Sequence, residues 1–237
     1  PRVAVLSTGD ELLGVDEMDA PGKIRDVNGQ TLPALAARYG AEVLRLGIAR
    51  DTVPDVVERL DQAVEWGADL LISSAGVSVG AFDCVKEAVE RHGRLDFWRV
   101  NMRPGKPVAF GRYRDRPFLG LPGNPVSALV AFEVFARPPI LRLAGRRSLE
   151  KPAVRARLLE PAHSDGRESY LRAVVERATD GYTARLAGGQ GSAMLLSLAR
   201  ANALLVIPAG LTDIAAGERL AAWMLDWPEG LIFDDET

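Results

Sequence analysis

Three short apolar runs, partly β-branched, each break off in a loop and give way to apolar residues at helical spacing, and this repetition limits what the chain can fold into. Residues 2–7 read as a strand. A helix follows over 28–39, with Asn28 as its N-cap, Leu32, Leu35 and Ala36 on one face and Gly40 as its stop. Residues 42–48 read as a second strand. Thr52 and Pro54 then open a second helix, in which Val56, Val57, Leu60, Ala63 and Val64 recur at helical spacing up to Gly67. Residues 70–73 form the third strand and 82–91 the third helix. Strands at 95–100, 107–111 and 117–121 and a long apolar helix over 126–143 complete the pattern. Such alternation predicts an α/β domain: a doubly wound, mainly parallel sheet with right-handed crossovers and helices on both faces. In such sheets the ligand crevice lies beyond the carboxyl ends of the strands. Glu11, Asp51, the loop from Ser73 to Asp83 and the loop from Pro122 to Ser127 all follow predicted strands, so they should collect on one edge.

The chemistry of those loops is suggestive. The stretch 73–83 holds Ser and Gly, which let a backbone approach a ligand closely and offer N–H and hydroxyl donors to an anion. Glu11, Asp51 and Asp83 are three carboxylates after three strands, hard oxygen ligands suited to Mg²⁺, although helix capping is the commoner fate of any one of them. Arg99, Arg103 and Lys106 crowd around a Pro-Gly turn. They read either as an oxyanion cradle, each charge-assisted bond contributing about 1.5–3 kcal/mol, or as a solvated turn. The loop 121–127 is rigid and carries a hydroxyl, Ser127, in the first turn of a helix, where N–H groups favour an anion. His92 and His163 lack metal-ligand spacing, and Cys84 reads as a small buried residue.

Composition shifts near 145–152. Beyond it, short runs at 153–159, 170–177, 182–186, 203–207 and 219–223, linked by Gly-rich segments, predict a small all-β domain with one short helix at 192–199. The expected organisation is an α/β domain over 1–148, the β domain over 149–228 and a tail over 229–237. With 237 residues and a net charge of −3, no global pull toward nucleic acid or membrane exists, and any anion site must be local. No apolar run reaches the length of a membrane span. A single cysteine and no signal peptide point to the cytoplasm. Pro1 in place of Met, with a strand beginning almost at once, reads as the remainder of a longer chain.

Taken together, the segments 6–11, 24–28, 47–51, 73–83, 102–107 and 120–127, with 190–192 and 197–203 in the second half, resemble the molybdopterin molybdenumtransferase family, which includes bacterial MoeA and the E domain of gephyrin. The resemblance covers nearly residues 1–226, in order. It implies an α/β molybdopterin-binding domain followed by a small β domain. The implied activity is insertion of molybdate into adenylylated molybdopterin with release of AMP, in molybdenum cofactor biosynthesis.

Carried over by position, Glu11, Asp51 and Asp83 are the functional acids, with Mg²⁺, and Arg99, Arg103 and Lys106 the basic group. Substrate contacts are implied for Asp26, Asn28, Ser74, Gly76, Ser78, Gly80, Pro122, Gly123, Asn124 and Pro125. Pro107, Ser127, Arg167 and Ser192 are implied around molybdate. The family pattern usually has lysine where Arg99 and Arg103 stand and a Gly-Gly pair at Ala75-Gly76. Its members carry further domains ahead of this region and are dimeric, and a molybdopterin adenylyltransferase is a possible partner. A molybdopterin adenylyltransferase or CinA-like nucleotide hydrolase on the same α/β domain, or a non-catalytic scaffold, are the alternatives. The β domain with its Gln190-Gly191-Ser192 argues against the enzymes, and the retained carboxylates and basic turn against pure scaffolding.

Overall fold

The computed structural model describes residues 1–74 and 82–227, without the side chains of residues 82, 83 and 97–99. The chain forms two compact units: Pro1–Val100 with Gly105–Arg147, and Asn101–Pro104 with Ser148–Thr237. One boundary thus falls next to the expected one at 148. The four residues Asn101–Pro104, placed by the sequence in the first half, belong to the second unit.

The first unit contains β1 (Arg2–Thr8), β2 (Leu12–Leu13), β3 (Ile24–Arg25), α1 (Asn28–Arg38), β4 (Glu42–Ala49), α2 (Val53–Glu65), β5 (Leu70–Ser74), α3 (Phe82–His92) and β6 (Gly93–Arg99). After β7 (Met102–Arg103), which belongs to the other unit, come β8 (Pro107–Tyr113), β9 (Arg116–Leu121), α4 (Pro125–Ala131), a π-helical turn (Phe132–Ala136) and α5 (Arg137–Leu143). The sheet runs β4-β1-β5-β9-β8-β6. β4, β1, β5 and β9 are parallel, and β8 is antiparallel to both of its neighbours.

Alternation along the strands sends Ala4, Leu6 and Leu71 toward α2 and α3. There Val56, Leu60 and Ala63 of α2 are fully buried at the predicted spacing. A leucine buried this way contributes about 1.5–3 kcal/mol. On the other side α1 meets α4. The Tyr39 hydroxyl donates to Glu133 Oε1 at 2.7 Å and Oε2 at 2.9 Å. The predicted helix over 126–143 is not uniformly α. Pro138 and Pro139 lack the N–H groups that would bond back to residues 134 and 135, and the wider π turn sits where that ladder fails.

The second unit contains β7, β10 (Ala153–Leu158), β11 (Ala162–His163), β12 (Glu168–Ala178), β13 (Gly181–Leu186), α6 (Leu195–Arg200), β14 (Ala203–Ile207), β15 (Asp213–Ile214) and β16 (Arg219–Met224). Its sheet runs β13-β10-β16-β14-β12, and β13 pairs back to β12, so the five strands close into a small barrel. Closure removes the open edges that a sheet this small would expose. Val154, Leu158, Leu171, Leu205, Ile207 and Met224 fill its core. β7 adds to β12 through Met102↔Glu168 and Arg103↔Ser169.

Candidate functional site

Because β4, β1, β5 and β9 are parallel, their following loops emerge along one edge of the first sheet. β6 ends at Arg99, paired with Pro107 at the start of β8, so the backbone of the basic turn leaves and returns at this same edge. Glu11 and Asp51 follow β1 and β4, whereas Lys106 precedes β8. Asp51 and Lys106 are thus four strand spacings apart, roughly 19 Å. Arg103 belongs to the second unit.

The ends of β1 and β5 carry hydroxyls on both faces. Ser7 stands opposite Ser74, and Thr8 and Ser73 point to the other side. Five buried polar atoms lack a hydrogen-bond partner among the described residues: Ser7 Oγ, Thr8 Oγ1, Asn28 Oδ1, Asp51 Oδ1 and Ser73 Oγ. All belong to this edge or to the helix start packed against it. An unpaired buried polar group costs about 1–3 kcal/mol, so such a concentration singles out this edge as the candidate site.

The acidic end is held by reciprocal bonds. The Asp10 N–H donates to Asp51 Oδ2 and the Asp51 N–H to Asp10 Oδ1, each at 3.2 Å. Gly9, at φ +145°, leaves room for the Glu11 carboxylate, whose Oε2 lies 2.5 Å from where a Cβ would stand. The Asp83 side chain lies outside the described residues. Among those described, no three His, Cys, Asp or Glu residues gather as a metal site. Asp51 Oδ1 and Thr8 Oγ1 are unpaired oxygen donors of the type Mg²⁺ prefers.

Asn28 is not the cap that the sequence predicts. It is the first residue of α1, 5% exposed, and its Nδ2 donates to Ser74 Oγ at 2.6 Å and to the Gly123 carbonyl at 2.7 Å. Asp26 serves the helix start instead, its Oδ1 accepting the Gly29 N–H at 2.8 Å. Asp26, Gly29, Asp16, Glu17 and Arg45 border a cavity of about 460 Å³. Thr52 is the N-cap of α2 but makes no side-chain capping bond. Ser127 is buried in α4, Pro125 opens that helix, Pro122 is buried, and Gly123 and Asn124 face outward in the turn between them. Gly76, Ser78 and Gly80 lie outside the described residues, as do the Arg99 side chain and the 229–237 tail.

In the second unit, Arg167 is already engaged. Its Nε bonds both Asp165 oxygens at 3.1 Å, its Nη2 bonds Asp165 Oδ2 at 2.5 Å, and its Nη1 donates to the Met102 carbonyl at 3.1 Å. The Arg167 bonds hold the Asp165 carboxyl down, to about 2. Arg103 Nη1 reaches the same carboxylate at 3.7 Å. The arginine that sequence reasoning missed is Arg172, 1% exposed in β12. Its Nη2 donates to the carbonyls of Gly189 and Gly191, and its Nε to Ser197 Oγ at 3.2 Å. Gln190 brackets its backbone, accepting the Arg172 N–H and donating to its carbonyl. No carboxylate pairs with Arg172 among the described residues, and burial, with Arg103 nearby, pulls its pKa below the usual arginine range. Ser192 lies half-exposed in the same loop. The signal available in the sequence was an arginine at a central position of a strand, between Leu171 and Ala173.

Residues 4–142 match the family model described as "Probable molybdopterin binding domain". The chain belongs to this molybdopterin-binding family. Residues 155–225 match a second model, the MoeA C-terminal region (domain IV). The order α/β unit then β unit is therefore that of MoeA, and the expected fold class holds. The molybdopterin molybdenumtransferase of Nostoc sp. is 40% identical over 225 residues, 92% of this chain and 51% of its own length. That of Haemophilus influenzae is 36% identical over 222 residues, covering 92% and 54%. A crystal structure of a molybdopterin biosynthesis MoeA protein from Pyrococcus horikoshii superimposes with a TM-score of 0.83 at 29% identity, covering 96% of this chain and 55% of that one. The chain thus spans about half the length of the curated relatives it matches. No helix among its described residues is long and apolar enough to cross a membrane.

Proposed function

We propose that this chain is the molybdopterin-binding and C-terminal part of a molybdenumtransferase, which inserts molybdate into adenylylated molybdopterin with release of AMP. The observation that carries this is the row of unpaired buried oxygens at the carboxyl edge of a sheet that matches the molybdopterin-binding family. A phosphorylated pterin brings N–H donors for carboxylate and amide oxygens, and phosphate oxygens for hydroxyl and backbone donors. On this reading Thr8, Ser73 and the N-terminus of α4 hold phosphate oxygens. Lys106 contributes a compact positive charge at the far end of the edge.

Glu11, Asp51 and Asp83 would hold Mg²⁺, which when bound neutralises phosphate charge. The reciprocal Asp10–Asp51 bonds fix the carboxylate at that place in advance. Arg172, bonded to the Gly189 and Gly191 carbonyls and to Ser197, orders the loop that carries Ser192, and Arg167 is held by Asp165. A homodimeric whole protein, a molybdopterin adenylyltransferase supplying the substrate and a cytoplasmic location belong to the same proposal.

The test supplies adenylylated molybdopterin and molybdate to the protein and follows AMP. Molybdate-dependent AMP release is expected. Adenylylation of molybdopterin from ATP, with no response to molybdate, would make the chain an adenylyltransferase instead.

A further inference from the structure

Among the described residues the last backbone pair between β5 and β9 is Ser74↔Leu121, and β9 then leads into the turn before α4. Asn28 stands at that point. Its single Nδ2 carries two N–H bonds in one plane, and they go to different strands' ends: Ser74 Oγ at 2.6 Å and the Gly123 carbonyl at 2.7 Å. The Gly123 carbonyl accepts only, so the amide cannot be flipped without setting two oxygens against each other. No other neutral side chain of this length offers two such donors from one atom. Aspartate donates nothing when ionised, and serine has one donor and a shorter reach.

We propose that Asn28 is a positioning residue that fixes the end of β5 against the Pro122–Ser127 turn, so that the hydroxyls of Ser73 and Ser74 and the donors of that turn are held in one fixed arrangement toward a ligand. This departs from a substrate contact through the same amide nitrogen, since both of its N–H groups are already committed. The clamp itself is independent of the ligand. Its effect on binding rests on the molybdopterin reading above.

The experiment compares wild type, Asn28→Ala and Asn28→Asp by hydrogen–deuterium exchange and by titration with molybdopterin. In Asn28→Ala, exchange in peptides carrying residues 72–74 and 122–127 is expected to rise about tenfold relative to wild type, with β4 and β8 unchanged, and molybdopterin affinity to fall about tenfold. In Asn28→Asp the ionised carboxylate accepts from Ser74 but cannot donate to Gly123. Its affinity relative to wild type should therefore recover as pH falls and the acid gains a proton to donate, whereas Asn28→Ala stays flat. If Asn28→Ala does not fold, Asn28→Asp and its pH profile carry the test alone. Unchanged exchange at both peptides, or wild-type affinity in both variants, overturns the proposal. A wild-type protein that fails to bind molybdopterin overturns the functional reading instead, and the exchange data still decide the clamp.

Discussion

Ser73 at the edge of the first sheet and Arg172 in the barrel are equally inaccessible, at 0% and 1% exposure, yet their surroundings differ in kind. Ser73 Oγ, with Ser7 Oγ, Thr8 Oγ1 and Asp51 Oδ1 along the same edge, finds no partner among the described residues. Arg172 is surrounded by acceptors, two glycine carbonyls and a serine hydroxyl, and Gln190 closes around its backbone. One unit holds donors and acceptors in an unfinished state, at a cost in stability. The other uses a buried charge to tie down a Gly-rich loop, with no counter-ion for that charge among the described residues. The first arrangement is suited to a ligand that supplies many hydrogen bonds, the second to holding a loop in place.

The sharpest way to break this contrast is Arg172→Ala. It removes the donors to Gly189, Gly191 and Ser197 together, and a loss of about 3 kcal/mol in unfolding free energy by urea titration is expected. Arg172→Lys should recover only part of it, because an ammonium cannot reproduce the planar fork. A loss under 1 kcal/mol would mean that the loop holds itself. The opposite sign is expected at the sheet edge. Ser73→Ala deletes an unpaired buried hydroxyl and should stabilise the ligand-free protein by about 1 kcal/mol while weakening molybdopterin binding. Destabilisation would show that the hydroxyl is satisfied after all.

The smallest effect concerns Asp165, whose exposed pair with Arg167 only adjusts the rim of the barrel. Its carboxyl titrates at about 2 against an ordinary 3.8. The depressed folded value means that the pair's contribution is present above about pH 4 and lost as pH falls toward 2. NMR titration should find Asp165 back near its ordinary value in Arg167→Ala, and no change there would remove the pair from the account.

The sheet edge was legible from sequence because it follows from strand order alone. Once residues 2–7, 42–48 and 70–73 read as parallel strands, the loops carrying Glu11, Asp51 and Ser74 had to share a side. What failed were assignments resting on local grammar where a distant partner decided the outcome. Asn28 has the composition and place of an N-cap, but Ser74 and Gly123 claimed its side chain and Asp26 took the capping role. Arg172 falls on the polar side of its strand's alternation, and only the fold revealed that it is a buried charge reaching residues 189–197. Met102–Arg103 is too short to register as a strand, and its pairing partner lies in β12.

That last segment has a consequence for how the molecule can be taken apart. The backbone passes into the barrel unit at residue 101, leaves it after 104 and enters it again at 148. A protease nick at Arg147 therefore yields two pieces that are not two domains, because the first fragment keeps the barrel's β7 and the second lacks it. Nor can the barrel be exchanged between relatives as one contiguous cassette without stranding four residues in the donor.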